Sequence, residues 1–342
     1  MFANFLTFAL LFHTISGYLF NFESTIKDLI EWKDHSFRTL RPTRLRQKTA
    51  RSDQFQTARR DKFQNYLEEQ ELDPLTLKFL KHRVSFARAS YCIDGLKDWS
   101  CNTCNPYLRT RNITFAGEFQ STVFGYVGYS PAIDTISIVF RGTRTFDGWI
   151  RDMRFVKPDC PFPGAPEGAK VHLGFLEAWA FLKPEIMEAF LKLVEAYPQS
   201  NLLITGHSLG GAIATLCALD IYSSKPELQK AFKMSNVFTV GQPRVGNFAF
   251  SNWTTTFPFK MHRLVYENDL VPHLPPHFSG FEHHASEVWI HEETTLLCKQ
   301  EQDGKENKNW YIISQILAKK IVAPIHIILF QCLLIKDCGV KK

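Results

Sequence analysis

The sequence predicts an α/β protein with a mixed, mostly parallel central sheet, and three observations carry that prediction. Short apolar runs alternate with longer stretches of helical periodicity: Leu202–Ile204, Val237–Val240 and Arg263–Tyr266 read as strands, Phe175–Tyr197 and Ala212–Tyr222 as helices. The first of those strands runs through Thr205-Gly206-His207-Ser208-Leu209-Gly210-Gly211 directly into a stretch free of Gly and Pro, which places a Gly-x-Ser-x-Gly at a strand-to-helix corner. Finally, 342 residues of which 45% are hydrophobic supply a core for one large domain with appendages.

Taken in order, residues 1–16 are apolar and end at the small pair Ser16-Gly17, the pattern of a secretory signal over 1–17. Leu6–Phe12 is too short to span a bilayer. Residues 18–83 are polar and charged. Nine Lys/Arg against two Asp fall between Arg38 and Lys62, which accounts for much of the formal charge of +6. The run lacks interleaved aromatics and lies outside the predicted fold, so it does not point to nucleic acid. Polybasic points at Arg41–Arg46, Arg59-Arg60 and Lys81-His82-Arg83 predict a pro-segment removed at or near Arg83, leaving a domain over 84–309.

Val84–Cys92 reads as an amphipathic helix. Cys101-Asn102-Thr103-Cys104 reads as a small structural disulfide, because neither a thioredoxin-like setting nor a second zinc pair accompanies it. Phe119–Tyr129 and Asp134–Phe140 read as a hairpin, Gly164–Gly168 as a loop, and Pro184 as a break or start in its helix. Cys217 is expected as a buried free thiol, while Cys160 has no evident mate. Asn112-Ile113-Thr114 and Asn252-Trp253-Thr254 are glycosylation sequons, meaningful if the chain is secreted. Thirty Phe suggest apolar surface at a site as well as in the core.

The corner at Ser208 has the residue types of a nucleophile elbow. The serine backbone is strained there, glycines let strand and helix approach, and the Leu209 N–H faces a position where an oxyanion can develop. A serine hydroxyl also needs a His base and a carboxylate to orient it, following in the order Ser, acid, His. Asp269 stands just past the Arg263–Tyr266 strand, with Glu267 as its local competitor; Asp220 reads as a solvated or capping residue. His273, His277, His283, His284 and His291 follow, and spacing does not choose among them.

Several segments together resemble the fungal triacylglycerol lipases of class 3, the Rhizomucor/Rhizopus type. They are Ile138-Val139-Phe140-Arg141-Gly142-Thr143-Arg144 with Asp147–Asp152, Val171-His172-Leu173-Gly174-Phe175, the elbow, Gly241-Gln242-Pro243-Arg244-Val245-Gly246, Asn268–Pro276 and Gly280–Ile290. The resemblance runs from about Ser85 to Asn309 and implies an α/β-hydrolase fold with a helical lid. It implies Ser208 as nucleophile, Asp269 as orienting acid, and His283 as base with His284 as runner-up. Thr143 and Leu209 are implied as oxyanion donors, and Tyr91 beside the acyl pocket. Thr145–Asp152 matches the lid, in which Phe146, Trp149 and Ile150 form one apolar face.

Cys92, Cys101, Cys104 and Cys298 match family disulfide cysteines. The resemblance stops at Trp310, where a partner for Cys298 is expected, and 310–342 is a divergent aliphatic tail holding Cys332 and Cys338. The implied activity is that of a secreted, extracellular, monomeric lipase that hydrolyses acylglycerols at a lipid–water interface through an acyl-enzyme, with no metal, organic cofactor or nucleic acid. Feruloyl esterases and phospholipases share the scaffold, but the apolar lid favours lipid. The altered C-terminus leaves a third reading, a catalytically impaired lipid-binding relative.

Overall fold

Among the described residues, eight strands form one sheet whose spatial order is their order in the sequence. The structure, a computed structural model, describes residues 74–143, 155–225, 227–228, 235–266, 269–284, 286–291 and 294–298. The expected signal, most of the pro-segment, the lid and the tail after 309 lie outside the described residues.

The elements are α1 (Pro74–Ala89), β1 (Arg111–Ala116), β2 (Gly125–Ser130), β3 (Thr135–Phe140), α2 (Leu173–Ala196), β4 (Asn201–His207), α3 (Leu209–Ser224), β5 (Ser235–Val240), α4 (Phe248–Thr254), β6 (Lys260–Tyr266), β7 (Glu287–His291) and β8 (Thr294–Cys298). Strands β3 to β7 pair in parallel; β1, β2 and β8 add antiparallel edges. A parallel strand is buried on both faces, and β3 shows it: Thr-Ile-Ser-Ile-Val-Phe is apolar or small throughout and wholly buried. The strand period of two then sorts side chains between layers. Leu202 and Ile204 enter the core beneath α2 and α3, with Phe140, Trp179 and Leu216. Leu203 enters the opposite core beneath α1, with Phe86, Leu96, Trp99 and Phe238.

Several expectations need adjustment. Helix α1 starts ten residues before Val84, so Arg83 lies inside a helix; it is also buried, and the burial draws its guanidinium down to about 9. The strand expected from Phe119 begins only at Gly125. Buried Arg141 explains this, because its guanidinium donates to the carbonyls of Phe119 and Ser121 at 2.7 Å each, holding that segment as a loop. Helix α2 continues through Pro184 for 24 residues. The carbonyl that proline leaves without an N–H belongs to Ala180, on the exposed side.

Cys101 and Cys104 form the expected disulfide, and Cys217 is a buried free thiol. Cys92 is disulfide-bonded as well, while Cys160 is free and packs on the core. No described helix is long and apolar enough to cross a membrane.

Asp220 is neither solvated nor a cap. It is 3% exposed, accepts from Trp179 Nε1 at 2.8 Å and Ser224 Oγ at 2.9 Å, and pairs with Lys183 Nζ at 2.6 Å. These contacts join α3 to α2 across the core. Removing the carboxylate strands a buried indole N–H and one member of an ion pair. Asp220→Ala is therefore expected to lower unfolding free energy by about 3 kcal/mol, read as an earlier urea midpoint at unchanged m-value.

Candidate active site

The site lies where β3 to β6 end, because parallel strands bring their carboxyl ends to one edge. At β4 the chain turns sharply: Ser208 has φ 55° and ψ −123°, a conformation non-glycine residues seldom adopt, and it caps α3. The turn needs glycine on both sides. A Cβ on Gly206 would collide with the Gly210 backbone, and one on Gly210 with the carbonyl of Phe140. Ser208 N–H donates to Val240 O at 2.8 Å, fixing the turn against β5. Its hydroxyl is buried and has no hydrogen-bond partner among the described residues. The first N–H groups of α3, Leu209 included, have no intrahelical acceptor and point to this same end.

Strand β3 delivers Gly142 and Thr143 against the turn. A Cβ on Gly142 would stand 3.1 Å from Ser208 Cβ and 2.7 Å from His207 O. Thr143 is buried, and its hydroxyl too lacks a partner among the described residues. Buried hydroxyls are ordinarily paired, so two unpaired ones on adjacent segments mark a place prepared for a ligand.

Tyr91 holds these segments together. The Gly142 N–H donates to Tyr91 Oη at 3.1 Å, and Tyr91 Oη lies 2.7 Å from His207 Nδ1. Burial draws His207 down to about 4 and pushes the Tyr91 hydroxyl up. The imidazole is therefore neutral and the phenol protonated, so Tyr91 donates to Nδ1 while accepting from Gly142. This links the Thr143 loop to the residue before Ser208. Sequence reasoning placed Tyr91 near the site without this bridge, since its two partners lie 51 and 116 residues away.

Asp269 follows β6. Its carboxylate accepts from Val271 N–H at 3.0 Å, and burial pushes it up to about 6. A Cβ on Gly241, just past β5, would lie 2.8 Å from Asp269 Oδ2 and 3.7 Å from His207 Nε2, so Asp269 and the elbow flank the same point. His283 is buried, and its Nε2 donates to Pro272 O at 2.6 Å, three residues from Asp269. Ser208, Asp269 and His283 thus share one end of the sheet, but no hydrogen bond joins the three side chains in this structure. Catalytic hydrogen bonds commonly tighten only when substrate is bound.

The loop that carries His283 is fastened at several points. Gly246 forms bridges to both Val171 and Glu282, the Arg244 guanidinium donates to the carbonyls of His273 and Pro275, and Ser251 Oγ donates to His283 O. His284 has a different engagement. Gln242 Nε2 donates to its Nε2 at 3.0 Å, and Gln242 Oε1 accepts from Thr215 of α3 at 3.0 Å. These supporting roles of Gln242 and Arg244 went unassigned in the sequence, because only their loop contacts show them. Phe146, Trp149 and Ile150 of the expected lid lie outside the described residues. Among the described residues, no group of three or more His, Cys, Asp or Glu could hold a metal ion.

A strained serine at a strand-to-helix turn of a mostly parallel sheet, with an acid and a histidine following at the carboxyl edge, defines an α/β-hydrolase fold. Comparison with known proteins is consistent. Residues 137–279 match the family model described as lipase (class 3). A lipase of Rhizomucor miehei is 34% identical over 251 residues, 70% of this chain and 65% of the relative's length. A secreted mono- and diacylglycerol lipase A of Penicillium cyclopium is 28% identical over 225 residues, 64% of this chain and 70% of that one. A solved structure, described as a triacylglycerol lipase whose catalytic centre is a serine protease triad, superposes with a TM-score of 0.60 at 32% identity, covering 70% of this chain and 91% of that one. The chain belongs to the class 3 lipase family.

If Tyr91 holds the Gly142-Thr143 loop in place, Tyr91→Phe should lower kcat on a soluble p-nitrophenyl ester about tenfold, about 1.4 kcal/mol of transition-state stabilisation, with KM nearly unchanged. Steady-state kinetics separate this from a binding defect, which would raise KM.

Proposed function

We propose that the chain is a triacylglycerol lipase. In this reading Ser208 Oγ attacks the ester carbonyl while His283 takes its proton, oriented by ionised Asp269. The backbone N–H of Leu209, together with Thr143 through its N–H and hydroxyl, receives the oxyanion. His283 then protonates the leaving alcohol, and water, activated by the same imidazole, releases the fatty acid. To do this the imidazole must exchange its bond to Pro272 O for Ser208 and turn its other nitrogen to Asp269. No step calls for a metal or organic cofactor.

The single observation that carries the reading is the Ser208 hydroxyl: strained, buried, unpaired among the described residues, and set beside the equally unpaired Thr143 hydroxyl. A lipid substrate is supported by exposed apolar side chains just after the expected lid and on the segment that carries Asp269 and His283. Phe155, Val156 and Phe278 are exposed, Phe278 by 75%, and Lys157 Nζ binds Ser279 O, drawing their two segments together. Apolar side chains left in water on such segments favour an interface over a soluble aromatic ester. The amphipathic segment Thr145–Asp152 supports a lid, and the apolar start of the chain supports secretion.

Tributyrin hydrolysis followed across the solubility limit tests the reading. The rate is expected to jump when droplets appear, and Ser208→Ala to abolish it, a loss of about 10⁶-fold, without changing the melting curve. Activity that stays level on soluble esters, with no jump, would point to an esterase on this scaffold. Activity retained in Ser208→Ala would remove Ser208 as nucleophile.

A further inference from the structure

The two sequons occupy unlike places in the fold. Asn112 and Thr114 lie on β1, an edge strand, and both are exposed while Ile113 between them is buried. The exposure pattern of the strand turns both the Asn and the Thr side chain outward. The β1–β2 register shifts between Arg111 and Thr114, and Asn112 has φ 55°, so the strand bulges at the acceptor. Asn112 Nδ2 donates to Tyr197 Oη at 2.8 Å, just past α2. A groove of about 470 Å³ opens there, lined by Asn112 and Thr114 themselves, by Ala189 and Leu193 of α2, and by Lys97 and Lys192.

Asn252 differs in each respect. It lies in helix α4, where Thr254 is 3% exposed and its hydroxyl is bonded to Ser251 O at 2.6 Å. Trp253 between them packs on the core beside Phe250 and Phe257. A sequon is read from an accessible segment that presents Asn and Thr together, and α4 presents none.

We propose that Asn112 carries an N-linked oligosaccharide whose first sugars lie over the groove between β1 and α2, and that Asn252 carries none. A polyprenyl-pyrophosphate-linked oligosaccharide is the donor. Its C1–O bond to pyrophosphate breaks as C1 bonds Asn112 Nδ2, which loses one proton, and the polyprenyl pyrophosphate leaves. The remaining N–H still donates to Tyr197 Oη. The location serves the enzyme in two ways. Arg111 pairs with Tyr129, at the end of β2 remote from Gly125, which pairs with Phe140 at the catalytic edge. The sugar therefore stands at the far end of the sheet, three strands from β4, and leaves the apolar rim free to meet lipid. It also covers an edge strand whose open N–H and C=O groups would otherwise invite pairing with another chain.

The inference rests on the reading of the chain as secreted, so the test supplies entry to the pathway independently. The full chain is expressed behind a host leader in a secreting yeast, recovered from the medium, and examined by endoglycosidase shift and glycopeptide mass mapping, beside N112Q and N252Q. Expected is one occupied site: a glycopeptide containing Asn112 in the wild type, its mass shift lost in N112Q and kept in N252Q. Secreted wild-type protein without sugar, or sugar that survives in N112Q, overturns the proposal. Should N112Q fail to leave the cell, the wild-type glycopeptide map decides alone. Lipase activity is assayed separately on the same samples, so an inactive but glycosylated protein would count against the catalytic reading and not against this one.

Discussion

The structure depends on one close approach, the packing of β4, α3 and the end of β3 around Gly206 and Gly210. A side chain at Gly206 would strike the first turn of α3, and one at Gly210 would strike the Phe140 carbonyl. Because these are backbone neighbours, no rotamer change could relieve either clash. With both glycines present, α3 starts immediately after β4 and lies flat on the sheet. Ser208 is forced to φ 55°, and Gly142, just past β3, packs so close that an added Cβ would stand 3.1 Å from Ser208 Cβ. The strain at Ser208 persists because the surrounding structure over-determines it: its N–H is tied to β5, its carbonyl accepts from Gly211, and its helix is buried along nearly its whole length.

Around that turn several polar groups act as supports. Tyr91 bridges Gly142 and His207, Gln242 bridges Thr215 and His284, Arg244 holds two carbonyls, and Asp220 ties α3 to α2. The hydroxyls of Ser208 and Thr143, by contrast, are buried and left without partners among the described residues. Satisfied networks in a low-dielectric interior are rigid. In the proposed mechanism they hold the Ser208 hydroxyl within reach of an ester carbonyl carbon and the Thr143 hydroxyl within reach of its oxygen, without a large rearrangement on binding. The carboxyl of Asp269, pushed up to about 6 by burial, adds a condition of its own. In the proposed mechanism it must ionise to orient the imidazole, a requirement met above its raised value and not below it.

Much of this was legible in the chain because it is local. The glycine spacing about Ser208, the wholly buried β3, and Asp269 just past β6 each lie within a few residues of the element that positions them. What could not be read is set by distant partners. The start of the β2 strand is decided by Arg141 reaching back to Phe119 and Ser121, and the burial of Asp220 by Trp179 and Lys183 on another helix. β1 escaped notice because its bulge breaks the alternation a half-buried strand would show, leaving Asn112 and Arg111 both exposed. The choice between His283 and His284 is the sharpest case. They are adjacent in sequence, and their engagements are set by partners elsewhere in the chain: Pro272 O for His283, and Gln242, 42 residues earlier, for His284.

That choice is also where the account is most directly exposed to test. The full chain is treated with a p-nitrophenyl alkylphosphonate, which traps an activated serine as a stable ester, and the adduct is located by peptide mass mapping. Release of p-nitrophenol is timed for the wild type, His283→Ala and His284→Gln, each corrected for folded fraction. The account predicts a single adduct on Ser208, formed at nearly the wild-type rate in His284→Gln and at least about 10³-fold more slowly in His283→Ala. An adduct on another residue, or a rate that survives in His283→Ala and collapses in His284→Gln, would contradict it.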